Sequence, residues 1–314
     1  MTVSAIGFGC GNVGGVMIRG TPSEQREAVA LALGAGIRYF DTAPSYADGV
    51  SETTLGRTLR ELRADALVGT KFNAVPEDPD LGSAIARSLE ASLGRLGRDH
   101  VDLLQLHSRI ASASSRKKPA ASVDTVVGPI ADTLNELKRS GKIRAAGFTG
   151  LGDPAAVLRV AESGRFDTVQ AYVNVFNPSA AFAGAAPQGE PDFTGLIERA
   201  AARGLGVLAI RVLAAGAVSG SDRHGNASPT GGSLMSGLSF ERDVSRSHHL
   251  GAPVASLGLE SAAELALRFA ISVPGVSTAL VGFSSLEQVR DAQRFADRGA
   301  LTPAGIASIR ALTV

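Results

Sequence analysis

Apolar residues along this chain fall in short runs that alternate with longer amphipathic stretches. The runs at 5–7, 38–41, 67–70, 101–106, 143–148, 168–173, 206–210 and 278–281 predict eight strands. Between and after them, apolar positions at helical spacing predict helices over 23–34, 52–62, 81–96, 130–140, 154–162, 193–203, 261–272 and 285–296. Ser23 and Ser51 stand where helix caps belong, and Ser261 with Glu264 has the capping-box spacing. Strands alternating with helices call for an α/β architecture, and eight such units favour closure into a (β/α)8 TIM barrel over an open doubly wound sheet. One domain over residues 1–314 accommodates the whole pattern.

Two segments break the rhythm: a polar and basic loop at 108–127 after strand four, and a loop rich in Gly, Ser and His at 213–260 after strand seven. In a barrel both lie over the carboxyl ends of the strands, where they can wall a binding site. The 37 glycines fall mostly between elements and read as turn punctuation. The tail at 301–314 adds a short helix near the mouth.

A formal net charge of +1 offers no broad field for nucleic acid or an anionic membrane, so the expected partner is a small molecule. No apolar run approaches the ~20 residues of a membrane span. A single cysteine, Cys10, leaves no intrachain disulfide framework, and the start lacks a signal-like pattern, so the expected compartment is the cytoplasm. Nothing in the pattern specifies an oligomeric state.

Four ionisable residues stand at or just after the ends of strands two, three and four: Asp41 and Tyr46 in FDTAPSY, Lys71 in GTKF, and His107 in DLLQLH. In a parallel barrel they meet at one mouth. A tyrosine, with an ordinary pKa near 10, gives a proton to a developing alkoxide only if its phenolate is stabilised. Lys71 supplies the positive charge, Asp41 keeps that lysine charged and oriented, and neutral His107 donates a hydrogen bond to a carbonyl oxygen. Metal-assisted chemistry fits less well. His107 has no His or carboxylate at ligand spacing, and His248 and His249 lie in a polar helical stretch, so no metal is expected.

FDTAPSY with the downstream Ser51-Glu52 and Leu55-Gly56, GTKF and VDLLQLH resembles the aldo-keto reductase superfamily over nearly the whole chain. The resemblance implies a barrel that binds a nicotinamide cofactor across its mouth and passes hydride to a carbonyl carbon of an aldehyde, ketone or sugar lactone. It assigns Tyr46 as general acid, Lys71 and Asp41 as partners that lower its pKa, and His107 as the orienting donor. Thr149 and Gly150 take the place of the family's Ser-Asn pair for the carboxamide, and Gln170 matches the family's glutamine. Ile210, Arg211 and Val212 stand where many relatives carry a stacking aromatic, with Arg211 in reach of the pyrophosphate.

After strand eight, GFSSLEQVRDA lacks the basic residues that usually hold a 2′-phosphate; Gly282 and Gln288 occupy their places, with Ser284, Ser285 and Arg290 nearby. The family default is NADP, with NAD as the alternative. Ser285 and Glu287 open the last helix, whose amino end suits an anion. GFGCGNVGG superficially matches a glycine-rich phosphate loop, but Gly9 to Gly11, with Cys10, read better as a close-packed loop beneath nicotinamide and substrate. The hairpin that closes the barrel floor in many relatives is absent or shortened, which predicts lower stability or another plug. A rival reading is a redox-sensing regulatory module that binds the cofactor with little turnover, as in channel β-subunits of the superfamily. The intact four residues favour the enzyme.

Overall fold

The computed structural model describes residues 2–74, 78–113, 120–220, 225–228 and 238–311. Its strands are β1 (Ile6–Gly9), β2 (Tyr39–Asp41), β3 (Leu67–Phe72), β4 (Val101–Leu106), β5 (Arg109–Ala111), β6 (Ala120–Ser122), β7 (Ile143–Thr149), β8 (Thr168–Tyr172), β9 (Gly206–Ile210) and β10 (Val276–Gly282). Eight of these close into a barrel in the order β1-β10-β9-β8-β7-β4-β3-β2, every neighbouring pair parallel. The remaining two, β5 and β6, form a separate two-stranded parallel sheet within the loop after β4. The predicted single (β/α)8 barrel therefore stands. Strand ends differ by up to two residues, and β3 runs on to Phe72, so Lys71 lies inside its strand.

Two apolar clusters hold the fold. The large one fills the space between strands and helices. A small one, Tyr39, Leu103, Ala145, Leu208 and Leu280, lies inside the barrel, as the period-two alternation of each strand requires. Glycines on neighbouring strands make room there: a Cβ on Gly69 would lie 2.1 Å from the Tyr39 hydroxyl, and one on Gly147 would lie 3.2 Å from Cγ of Gln105.

Two predicted caps are corrected. Thr21 and Glu24 form a reciprocal capping box that starts helix Pro22–Gly34, so Ser23 lies within the first turn. Helix Val50–Glu61 starts after Gly49, whose φ of 86° suits glycine, and this puts Ser51 inside the helix. Its hydroxyl instead pairs with that of Thr42 at 2.8 Å and donates to the Cys10 carbonyl at 2.9 Å. Ser261 does accept from the Glu264 amide, while the Glu264 carboxylate takes the amide of Glu260.

At the amino ends of the strands, a cavity of about 570 Å³ is lined by Val3, Leu103, Ala145, Thr168, Leu208 and Thr278, among others. Residues 2–5 lead into β1 without a strand of their own. Among the described residues no hairpin crosses this floor. Above the mouth, the loop after β9 contributes a 3-10 segment, Ala214–Ser219, and helices Phe240–Ser247 and Gly251–Ser256. The tail forms helix Pro303–Ala311, whose Arg310 lies over the ring of Phe182 in the loop after β8. The parts of the predicted loops at 114–119, 221–224 and 229–237 lie outside the described residues.

Candidate active site

The carboxyl ends of β2, β3 and β4 bring Asp41, Lys71 and His107 together, and the turn after β2 adds Tyr46. Lys71 is 1 % exposed and pairs with Oδ2 of Asp41; its ammonium also donates to the Thr42 carbonyl at 2.8 Å. The same ammonium lies 4.8 Å from the centre of the Tyr46 ring, and that ring meets His107 edge-on at a centroid distance of 6.0 Å. Ala47 and Asp48, directly after Tyr46, both hold φ of 50°, a left-handed conformation that non-glycine residues adopt mostly where surrounding structure imposes it. The turn carrying the phenol is thus held in a set shape.

Burial governs the charge states here. It pushes the Tyr46 phenol above its ordinary pKa; Lys71 acts against that shift, and the Asp41 charge adds to it. The Asp41 charge by itself works against ionisation of the phenol, and its favourable effect passes through Lys71, whose charge it holds. Burial also opposes the charge on Lys71, but Asp41 and the phenol outweigh it and the ammonium is held above its usual value. His107 is brought down to about 4, first by burial and then by the Lys71 charge, so it is a neutral imidazole at neutral pH.

The candidate cofactor residues divide into two groups. Arg211, Gly282, Ser284 and Gln288 line a cleft of about 410 Å³ beside the ends of β9 and β10, together with Gly14 and Asp291. Arg211 has φ of 59°, and its carbonyl accepts from Asn174 Nδ2 at 3.2 Å and from the Ala214 amide at 2.8 Å. The Ser284 amide and hydroxyl both donate to Oε1 of Gln288, and Ser285 caps helix Leu286–Asp297 through the Gln288 amide. A short stretch of the loop after β9 crosses this edge: the Asn226 amide donates to the Ser284 carbonyl at 2.9 Å and the Ser228 amide to that of Val13 at 2.9 Å. Arg290 turns away from the cleft toward Glu27, at 3.4 Å.

Thr149 and Gln170 lie apart from that cleft, inside the barrel. Thr149 donates to Gln170 Oε1 at 3.3 Å, and Gln170 Nε2 donates to Asp41 at 2.9 Å. Gly9 faces β10, where an added Cβ would lie 3.2 Å from the Val281 carbonyl oxygen. Cys10 is 1 % exposed and packs in the main core, its thiol toward the Phe8 carbonyl and held protonated by burial, so it presents no group to the cleft.

Three residues that pattern reading passes over belong to the site. Tyr39 and Gln105 donate to Asp41 at 3.1 and 3.0 Å, and Asp291 brings a carboxylate to the cleft wall. Tyr39 and Gln105 each stand two residues before a chemistry-bearing one, the spacing at which a strand returns to the same face. The Ser51 and Glu52 of the family motif prove to be supports. Glu52 is buried, accepts from Thr70 and pairs with Arg95 at 2.6 Å.

The model of the aldo/keto reductase family matches residues 5–313. An L-galactose dehydrogenase of Arabidopsis thaliana is 30% identical over 304 residues, covering 93% of this chain and 83% of that protein. A NADH-specific methylglyoxal reductase of Escherichia coli is 29% identical over 202 residues, 56% of this chain and 57% of that protein. Among solved structures, an aldo-keto reductase of Bacillus halodurans in its holo form superposes with a TM-score of 0.71 at 22% identity, covering 99% of this chain and 93% of that one. An aldo/keto reductase of Klebsiella pneumoniae in complex with NADP and acetate gives 0.69 at 23% identity, covering 99% and 92%.

Proposed function

The chain belongs to the aldo/keto reductase family, and on that premise we propose that it interconverts a carbonyl compound and its reduced form, with Tyr46 exchanging the proton. It is an NAD(P)-dependent oxidoreductase whose substrate is an aldehyde, a ketone or a sugar lactol and its lactone. The observation that carries the reading is the row of buried Asp41, buried Lys71 and half-buried Tyr46, with neutral His107 against the phenol ring.

The cleft fits a nicotinamide dinucleotide. Arg211 brings a cation to it, and the capped amino end of helix Leu286–Asp297 brings backbone amides beside Ser284, both suited to phosphate. A dinucleotide held there by Arg211, Ser284 and the amides of that helix end would bring hydride chemistry to the carbonyl carbon. The residues handle the proton. In reduction, the Tyr46 hydroxyl donates to the carbonyl oxygen as it gains charge, and Lys71 stabilises the phenolate that results. His107, uncharged, donates a hydrogen bond to the same oxygen without delivering a competing proton. In oxidation, the phenolate takes the hydroxyl proton. NADP is the default dinucleotide and NAD is also accepted: Asp291 on the cleft wall and Arg290 turned to Glu27 leave no cation gathered for a second phosphate among the cleft's described helix residues.

Because the phenol's pKa is raised, reduction should hold its rate into the alkaline range, and oxidation should climb as pH rises through it. Fluorescence titration with NADH and NADPH, followed by turnover with aldehydes and aldoses, tests this directly. Tyr46→Phe should keep dinucleotide binding and lose about 10²- to 10⁴-fold in kcat/KM. Wild type that binds neither dinucleotide sinks the proposal. Tight binding with no turnover on any carbonyl compound would point to the regulatory reading instead.

A further inference from the structure

We propose that Tyr39 and Gln105 are positioning residues that, with Gln170, saturate one oxygen of Asp41 and hold its other oxygen turned toward Lys71. The inference rests on the reading of Asp41 and Lys71 as support for the proton-transferring phenol. It extends beyond the four residues that the family motif marks.

Three donors converge on Oδ1 of Asp41: the Tyr39 hydroxyl at 3.1 Å, Gln105 Nε2 at 3.0 Å and Gln170 Nε2 at 2.9 Å. Oδ2 takes Lys71. Each carboxylate oxygen has about two lone-pair positions, so three donors saturate Oδ1 and leave Oδ2 as the oxygen that faces Lys71. All members are buried: Tyr39 at 1 %, Gln105 at 0 % and Gln170 at 2 % exposure.

The orientation of both amides fits this role. Gln170 has its oxygen engaged by Thr149, which turns its nitrogen to Asp41. Gln105 leaves its own Oε1 buried without a partner, an arrangement that costs free energy by itself. The alternative, with that oxygen against Asp41, would set a carbonyl dipole against a carboxylate. Space for the arrangement is made by the glycines opposite, Gly69 facing the Tyr39 hydroxyl and Gly147 facing Gln105. The charged and titratable groups that face Asp41 are Lys71, Tyr39, Tyr46, Cys10 and His107. Of these only the lysine is cationic, so neutral donors must supply the rest of the carboxylate's stabilisation.

The test uses the free protein and the enzyme. Carbon-13 NMR of aspartate-labelled protein at neutral pH, with the Asp41 carboxyl signal assigned through Asp41→Asn, compares that resonance in wild type, Gln105→Leu and Tyr39→Phe. Loss of one donor should move it in Gln105→Leu while the other aspartate signals stay in place. Tyr39→Phe, which removes a single hydroxyl, should move it too and serves if the leucine variant does not fold. In both, kcat for carbonyl reduction should fall about tenfold, while KM and the Kd for NADPH stay within about twofold of wild type. An Asp41 signal unchanged in both variants, or a kcat unchanged in both, would overturn the proposal. Wild type without carbonyl turnover would defeat the proposed function, and the NMR comparison would still decide the role of the donors.

Discussion

His107 links a single buried ring to the stability of the whole barrel. Its folded pKa of about 4 lies below the ordinary 6.5, because burial and then Lys71 disfavour the imidazolium. The unfolded chain therefore takes up a proton first as pH falls. The stabilisation from keeping this ring neutral is complete above about pH 6.5 and is lost progressively as pH drops toward 4. Urea unfolding at pH 7.5, 5.5 and 4.5 should show wild type losing more of its stability over that span than His107→Gln, which has nothing to titrate; equal losses would remove His107 as a source of acid sensitivity. The four ionisable residues were legible because each ends an apolar run, where a charge needs a reason. Tyr39 and Gln105 were not. A barrel strand is buried on both faces, so inward polar residues do not show as a hydrophobic alternation. Only the two-residue step from Tyr39 to Asp41, from Gln105 to His107 and from Thr168 to Gln170 carried the signal.

Elements of this barrel meet through glycines whose reasons lie on other elements. Gly56 on helix Val50–Glu61 would place a Cβ 2.3 Å from the Leu96 carbonyl, so the helix packs backbone to backbone on its neighbour. That explains the Gly56 of the family motif as a packing requirement, while Ser51 and Glu52 tie the same helix to the site's floor through Cys10 and Thr70. Sequence alone read Ser51 as a cap, since a serine before a glutamate is the usual start; the left-handed turn ending at Gly49 moved the start forward. On β3, Gly69 lies against the Tyr39 side chain of the neighbouring strand β2, and a ring cannot bend out of the way. Gly69→Ala should destabilise by about 1–3 kcal/mol through overpacking. The cost should shrink when combined with Tyr39→Phe, because the Cβ lies nearest the hydroxyl. Urea melts of the two singles and the double decide it, and strictly additive effects would mean that Gly69 matters for some other contact.

At the scale of the molecule, chemistry and stability sit at opposite ends of one tube. The carboxyl ends of the strands carry the buried ionic group and the cleft; the amino ends surround a cavity of about 570 Å³. A floor without a closing hairpin predicts lower stability or another plug, and among the described residues no hairpin crosses it. An unfilled space of that kind removes dispersion contacts from its lining, so the wall is where stability can be added without touching the site. The hydroxyls of Thr168 and Thr278 on that wall are buried without hydrogen-bond partners among the described residues, so more apolar volume beside them would not relieve them. Ala145 is the better position. It lies in the inner apolar cluster with Tyr39, Leu103, Leu208 and Leu280. Ala145→Leu should therefore raise stability by about 0.5–1.5 kcal/mol, less than full burial of three carbons would supply because part of the new side chain faces the open floor. Leu208→Ala, which widens the same space, should cost about 2–5 kcal/mol. Neither touches Asp41, Lys71, Tyr46 or His107, so any change in kcat/KM should be small and pass through Tyr39, which shares the cluster and bonds to Asp41. Urea unfolding with parallel turnover assays checks both halves. A destabilised Ala145→Leu would mean that the floor is already shaped around its present residues and that the cavity is a fixed part of the barrel.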